Sequence, residues 1–102
     1  MSNVLSAKSA DEKVVVTLDF SDSLAPGETL TGTPTVTVTI NSGVDANPEA
    51  ILNGAPQIST DSRAVLVPTD SGIPNCSYRI AAECDTSNPA KRLECIAVLP
   101  IR

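Results

Sequence analysis

The strongest constraint on this chain lies in its last quarter, where two stretches keep a period of two. In residues 76–84, Cys76, Tyr78, Ile80, Ala82 and Cys84 share one face, with Ser77, Arg79 and Glu83 on the other. That alternation marks a half-buried strand. Residues 92–101 repeat it with Leu93, Cys95, Ala97, Leu99 and Ile101 on one face. Between them, Asn88-Pro89-Ala90-Lys91 offers Asn for the first position of a tight turn and Pro for the second. The two stretches therefore read as one antiparallel hairpin. Centring it on that turn sets Cys84 opposite Cys95, Ala82 opposite Ala97, Ile80 opposite Leu99 and Tyr78 opposite Ile101. The Tyr78 ring is expected between two sheets, with its hydroxyl reaching a backbone partner near a strand end.

The rest of the chain is read in the same way. Residues 13–20 alternate Val14, Val16, Leu18 and Phe20 with Val15, Thr17 and Asp19, a first strand. Ser21 to Glu28 gathers Ser, Asp, Pro and Gly into a turn, after which Thr29 and Leu30 restart an extended segment. Thr35 to Ile40 is β-branched and strictly alternating, with Val36, Val38 and Ile40 inward and the threonines toward water. Residues 49–52 read as a short strand closed by Asn53-Gly54. Residues 57–60 and 63–67 form a further pair around Asp61-Ser62, ended by Pro68. The prolines are expected between strands or at their ends, where they also guard edges. About seven short strands with regular turn signals and no helical period predict an all-β antiparallel sandwich. Residues 1–11 are polar and aperiodic and read as a flexible N-terminal arm, leaving residues 12–102 as a single domain.

Composition narrows the function. The chain has 102 residues, one Tyr, one Phe and no Trp, so its core must come from Val, Ile, Leu and Ala. A net charge of −5 without a basic cluster argues against nucleic acid. No apolar run approaches the roughly 20 residues of a membrane span, and no signal peptide is read at the start. Synthesis and retention in the cytosol are expected. Three cysteines at no metal-like spacing and no His fit free, buried thiols, although the register would also allow a Cys84–Cys95 bridge. Without His, a Ser or Cys nucleophile lacks its usual base. The carboxylate pairs Asp19 with Asp22 and Glu83 with Asp85 are explained by strand ends and turns. The oxygen-rich loops at residues 45–49 and 85–88 do not match an EF-hand and read as solvated. Neither catalysis, a cofactor nor a metal is expected.

A resemblance adds to this. At Leu18-Asp19-Phe20-Ser21-Asp22-Ser23-Leu24-Ala25-Pro26-Gly27-Glu28-Thr29-Leu30 the chain resembles a group of small structural proteins of tailed bacteriophages. In that group an aspartate, an aromatic and a Ser/Asp-rich stretch precede Gly, an acid, Thr and an aliphatic residue. The likeness continues at Ile51-Leu52-Asn53-Gly54, Gly72, Cys76-Ser77-Tyr78 and Arg92-Leu93-Glu94, and Phe20 stands where many relatives carry Trp. The resemblance implies an immunoglobulin-like sandwich in the virion, assembled in the host bacterial cytoplasm. It further implies an adaptor between tail or neck and tail fibres, present as a ring of copies that touch other phage structural proteins.

Two other uses suit such a module: a capsid decoration or cement protein, and a carbohydrate- or ligand-binding domain. The second is weakened because sugar platforms use exposed aromatics and Tyr78 is expected inside. Partner contacts are expected in the arm (Ser2, Asn3, Val4, Leu5), the turn after the first strand (Asp22, Ser23) and the loops carrying Asp45, Asn47 and Asp70, since loops on a rigid scaffold carry recognition.

Overall fold

The structure, a computed structural model, describes residues 2–102, and of residues 2 and 3 the backbone alone. It is all-β with almost no helix. The strands are β1 (Ser2–Val4), β2 (Val14–Asp19), β3 (Leu30–Ser42), β4 (Gln57–Ile58), β5 (Ala64–Thr69), β6 (Ser77–Thr86) and β7 (Arg92–Pro100). Two antiparallel three-stranded sheets, β7-β6-β3 and β2-β5-β4, face each other in a sandwich-like arrangement, and β1 extends the first along β7. The alternating faces account for this: Val16, Leu18 and Phe20 of β2 and its continuation meet Tyr78, Ile80, Ala82, Cys95, Ala97 and Leu99 in one buried cluster. In β3, Val38 is buried, Val36 and Ile40 pack against the same cluster, and Thr35, Thr37 and Thr39 are exposed.

The β6–β7 hairpin forms with the expected faces but a different register. Tyr78 lies opposite Leu99, Ile80 opposite Ala97, Ala82 opposite Cys95 and Cys84 opposite Leu93, a slide of two residues. The turn at Asn88 does close, with the Lys91 N–H donating to the Asn88 carbonyl at 3.0 Å. However, the end of β6 is drawn toward β3: Thr86 pairs with Leu30 and the Ser87 N–H donates to the Thr29 carbonyl. A two-residue slide keeps every side chain on its face, whereas a slide of one would have inverted them. It also separates Cys84 from Cys95, and all three cysteines are free and buried. Ser77, expected on the solvent face, is buried, taking a hydrogen bond from the Asn41 amide and sharing one with the Ser42 hydroxyl.

Other expectations are corrected. The N-terminal segment is no loose arm: β1 runs parallel to β7, and the Leu5 and Lys8 N–H groups donate to the carbonyls of Val98 and Pro100. This backbone satisfies donors and acceptors that the outer edge of β7 would leave open. Lys8 is 2% exposed, its ammonium donating to the carbonyls of Ser9 and Glu12. Residues 49–52 are not a strand. Pro48, pre-set at the first helical position, opens a 3-10 turn (Pro48–Ile51) that buries Ile51. Three prolines fall within strand bounds, Pro100 only as the last residue of β7. Pro34 lies within the break in register between Thr31 and Thr35, and Pro68 belongs to β5. The Pro68 nitrogen points to the same side as its carbonyl, which accepts from Asn53 beyond the end of short β4, so no ladder bond is lost.

Candidate functional site

The strand directions sort the loops into two ends. The β2–β3, β4–β5 and β6–β7 connections share one end; the β3–β4 and β5–β6 connections and the C-terminus share the other. Side chains lock each end from within.

At the first end the lock is Glu28, only 8% exposed in spite of its charge. Its carboxylate receives the Lys91 ammonium at 2.6 Å, the Ala25 N–H at 3.0 Å and the Thr86 hydroxyl at 3.3 Å. Lys91 also donates to the Ser23 carbonyl at 2.8 Å. These bonds tie the β2–β3 turn to the β6–β7 turn. Gly27, at φ +78°, supplies the left-handed residue that turns Glu28 inward. Glu28→Gln or Lys91→Met is therefore expected to raise amide exchange at Ala25 and Thr29 severalfold while leaving β6 protection unchanged, a contrast read by hydrogen–deuterium exchange.

At the other end the lock is Tyr78, wholly buried. Its hydroxyl accepts the Ile73 N–H at 2.9 Å and donates to Asp45 Oδ2 at 2.7 Å, joining the β3–β4 and β5–β6 loops. The expected backbone partner is present, and the Asp45 carboxylate is an addition. Asn75 N–H donates to the Ile101 carbonyl, closing the end over the last strand.

The expected contact residues do not form one surface. Asp22 and Ser23 are exposed at the first end. Asp45, Asn47 and Asp70 belong to the second end; Asp45 is half-buried because Tyr78 holds it, and Asp70 is half-buried. Val4 is 78% exposed on the flank, whereas Leu5 turns inward against the core. Ser2 and Asn3 pair through their backbones, and their side chains lie outside the described residues. The reasoning from sequence missed Glu28, Lys91 and Lys8. A lone acid after Pro-Gly in a chain with few cations is the signal that points to the first pair; Lys8 has none.

The acids serve the framework. The Ser21 hydroxyl and N–H lower the Asp19 pKa, the Lys91 ammonium lowers that of Glu28, the Tyr78 hydroxyl that of Asp45 and the Ser59 hydroxyl that of Asp61. Burial raises Cys84, Cys95 and Tyr78. Lowered carboxylates give stability that is present above their unfolded values, about 4, and is lost as pH falls through the folded ones. Raised thiols and phenol give stability present below their unfolded values, about 8.5 and 10, and lost as pH rises through the folded ones. The midpoint of urea unfolding should thus be level from about pH 5 to 8 and fall on both sides. Glu83 and Asp85 flank Arg92, at 3.4 and 3.9 Å, and no group of three metal-ligating side chains occurs among the described residues.

No protein-family model matches this chain, and neither a curated protein nor a solved structure matches it.

Proposed function

We propose that this chain is a structural protein of a tailed-bacteriophage virion, an adaptor that joins the tail or neck to the fibres, built on an immunoglobulin-like sandwich. The order β7-β6-β3 over β2-β5-β4, with the first strand lying parallel beside the last, agrees with the strand order of immunoglobulin-type sheets. The observation that carries the reading is the pair of internally locked ends in a body 40 Å in its longest extent. A connector needs two separate docking ends whose loops are already ordered, because loops that must order on binding cost affinity. The motif behind the phage resemblance supplies one lock, through Gly27 and Glu28, and Tyr78 supplies the other.

Quantitative mass spectrometry of purified particles, from cells producing the phage that encodes this chain, tests the reading. A ring at the tail or neck requires roughly a dozen copies per particle. Absence from particles, or the far higher copy number of a protein decorating the whole capsid, would overturn it.

A further inference from the structure

One edge of the second sheet is open, and its open hydrogen-bonding groups face a cavity. In the β2–β5 ladder, Val16 and Leu18 lie opposite Val67 and Val65, and the Phe20 N–H continues the same alternation to the Arg63 carbonyl at 2.9 Å. The even-numbered residues of β2 therefore direct their backbone groups to β5 and the odd-numbered ones direct theirs away. The outward Asp19 carbonyl meets the Cys95 thiol at 3.8 Å. The N–H and C=O groups of Val15 and Thr17 have no partner among the described residues. They border a groove of about 380 Å³ whose walls include Leu5, Lys8, Val14, Val16 and Leu99.

Nothing within β2 itself blocks pairing at this edge. No proline, glycine or bulge interrupts β2, and Val15 is 58% exposed on its outer face. The first sheet has four strands and the second has three, and the groove lies where a fourth strand of the second sheet would run, beneath the segment 5–8.

We infer that the β2 edge and this groove accept an extended segment of a partner protein as an added antiparallel strand. Two donor–acceptor pairs at Val15 and Thr17, about 6.8 Å apart, match every second residue of an extended chain. The apolar walls take its inward side chains, and these should be small and β-branched. Lys13 and Asp19, both exposed and on the same face, select for charge: the segment should carry a base opposite Asp19 and, six residues later, an acid opposite Lys13. A second folded copy is disfavoured as the occupant, because the segment 5–8 overhangs the slot where its β7 would have to lie. The donor is therefore a tail or long loop free of a second layer. This inference goes beyond the adaptor reading and stands or falls separately from it.

The probe is a fluorescein-labelled peptide, Lys-Val-Thr-Val-Thr-Val-Glu, followed by anisotropy with the full chain. Saturable binding is expected, at least about tenfold weaker to Val15→Pro, which removes an outward N–H and leaves the β5 ladder intact. In the double variant Lys13→Glu with Asp19→Lys, preference should pass to the charge-reversed peptide Glu-Val-Thr-Val-Thr-Val-Lys. This arm does not depend on a proline being tolerated. Absence of binding to the wild-type chain, or binding indifferent to the charge reversal, would overturn the inference. So would sedimentation showing that the chain alone dimerises and that Val15→Pro makes it monomeric, since the occupant would then be a second copy.

Discussion

Replacing Tyr78 by Ala should remove about 3–5 kcal/mol of stability, a large share of the roughly 5–15 kcal/mol available to a small domain. The effect is large because one side chain does two things. Its ring fills the centre of a core that holds a single Tyr and a single Phe, and it is wholly buried, so truncation leaves a cavity that Val and Ala neighbours are too short to fill. Its hydroxyl joins Asp45 to the Ile73 N–H, so the loops at that end lose their common anchor. Tyr78→Phe separates the two effects. It keeps the ring and should cost about 1 kcal/mol, with faster exchange at the Ile73 amide. Urea unfolding followed by circular dichroism measures both; a loss below about 1 kcal/mol for the Ala variant would mean that the ring is not in the core.

The second large effect is expected at Gly43, which follows β3 with φ +95°. A Cβ there would collide with Cys76 Sγ and stand 3.1 Å from its Cα. Gly43→Ala should cost about 2–5 kcal/mol, combining overpacking of about 1–3 kcal/mol with about 1–2 kcal/mol for a left-handed non-glycine residue. Trimming the thiol in Gly43→Ala with Cys76→Ala should recover part of the steric share only. The Cys76 Cα remains in the way and the backbone angle is unchanged. Full recovery in the double variant would show that the thiol alone sets the requirement for glycine.

Much of the fold was legible because a period of two carries the faces directly. The inward sets 14, 16, 18, 20 and 76, 78, 80, 82, 84 pack where the alternation put them, Val14 less deeply than the rest. Faces are insensitive to slides of two residues, and so the β6–β7 register was not legible: it depends on Thr29 and Leu30 capturing the end of β6, a contact about 57 residues away along the chain. The order of the N-terminal segment was not legible for a related reason. Residues 2–8 have no internal pattern, and they are ordered by the open edge of β7, which no local feature of that segment reports. Pro48 shows the reverse case: an apolar pair at Ile51 and Leu52 suggested a strand, but local proline geometry set a 3-10 turn.

The candidate site was legible only in part. Sequence named loops at both ends without showing that they are opposite ends, because that follows from strand direction in three dimensions. It also placed Val15 on the outer face between Lys13 and Asp19. What it could not show is that no strand among the described residues pairs with this edge, which is a matter of which strand pairs with which.

The arrangement of the second sheet and its open edge is tested most directly by amide hydrogen–deuterium exchange along β2, read residue by residue by NMR. The structure requires alternation: Val16 and Leu18, bonded to β5, should exchange slowly, while Val15 and Thr17, directed into the groove, should exchange at least about a hundredfold faster. Uniform protection through Leu18 would mean that another strand already covers this edge. Uniform rapid exchange would mean that β2 does not pair with β5, and either result would contradict the sheet order on which the account rests.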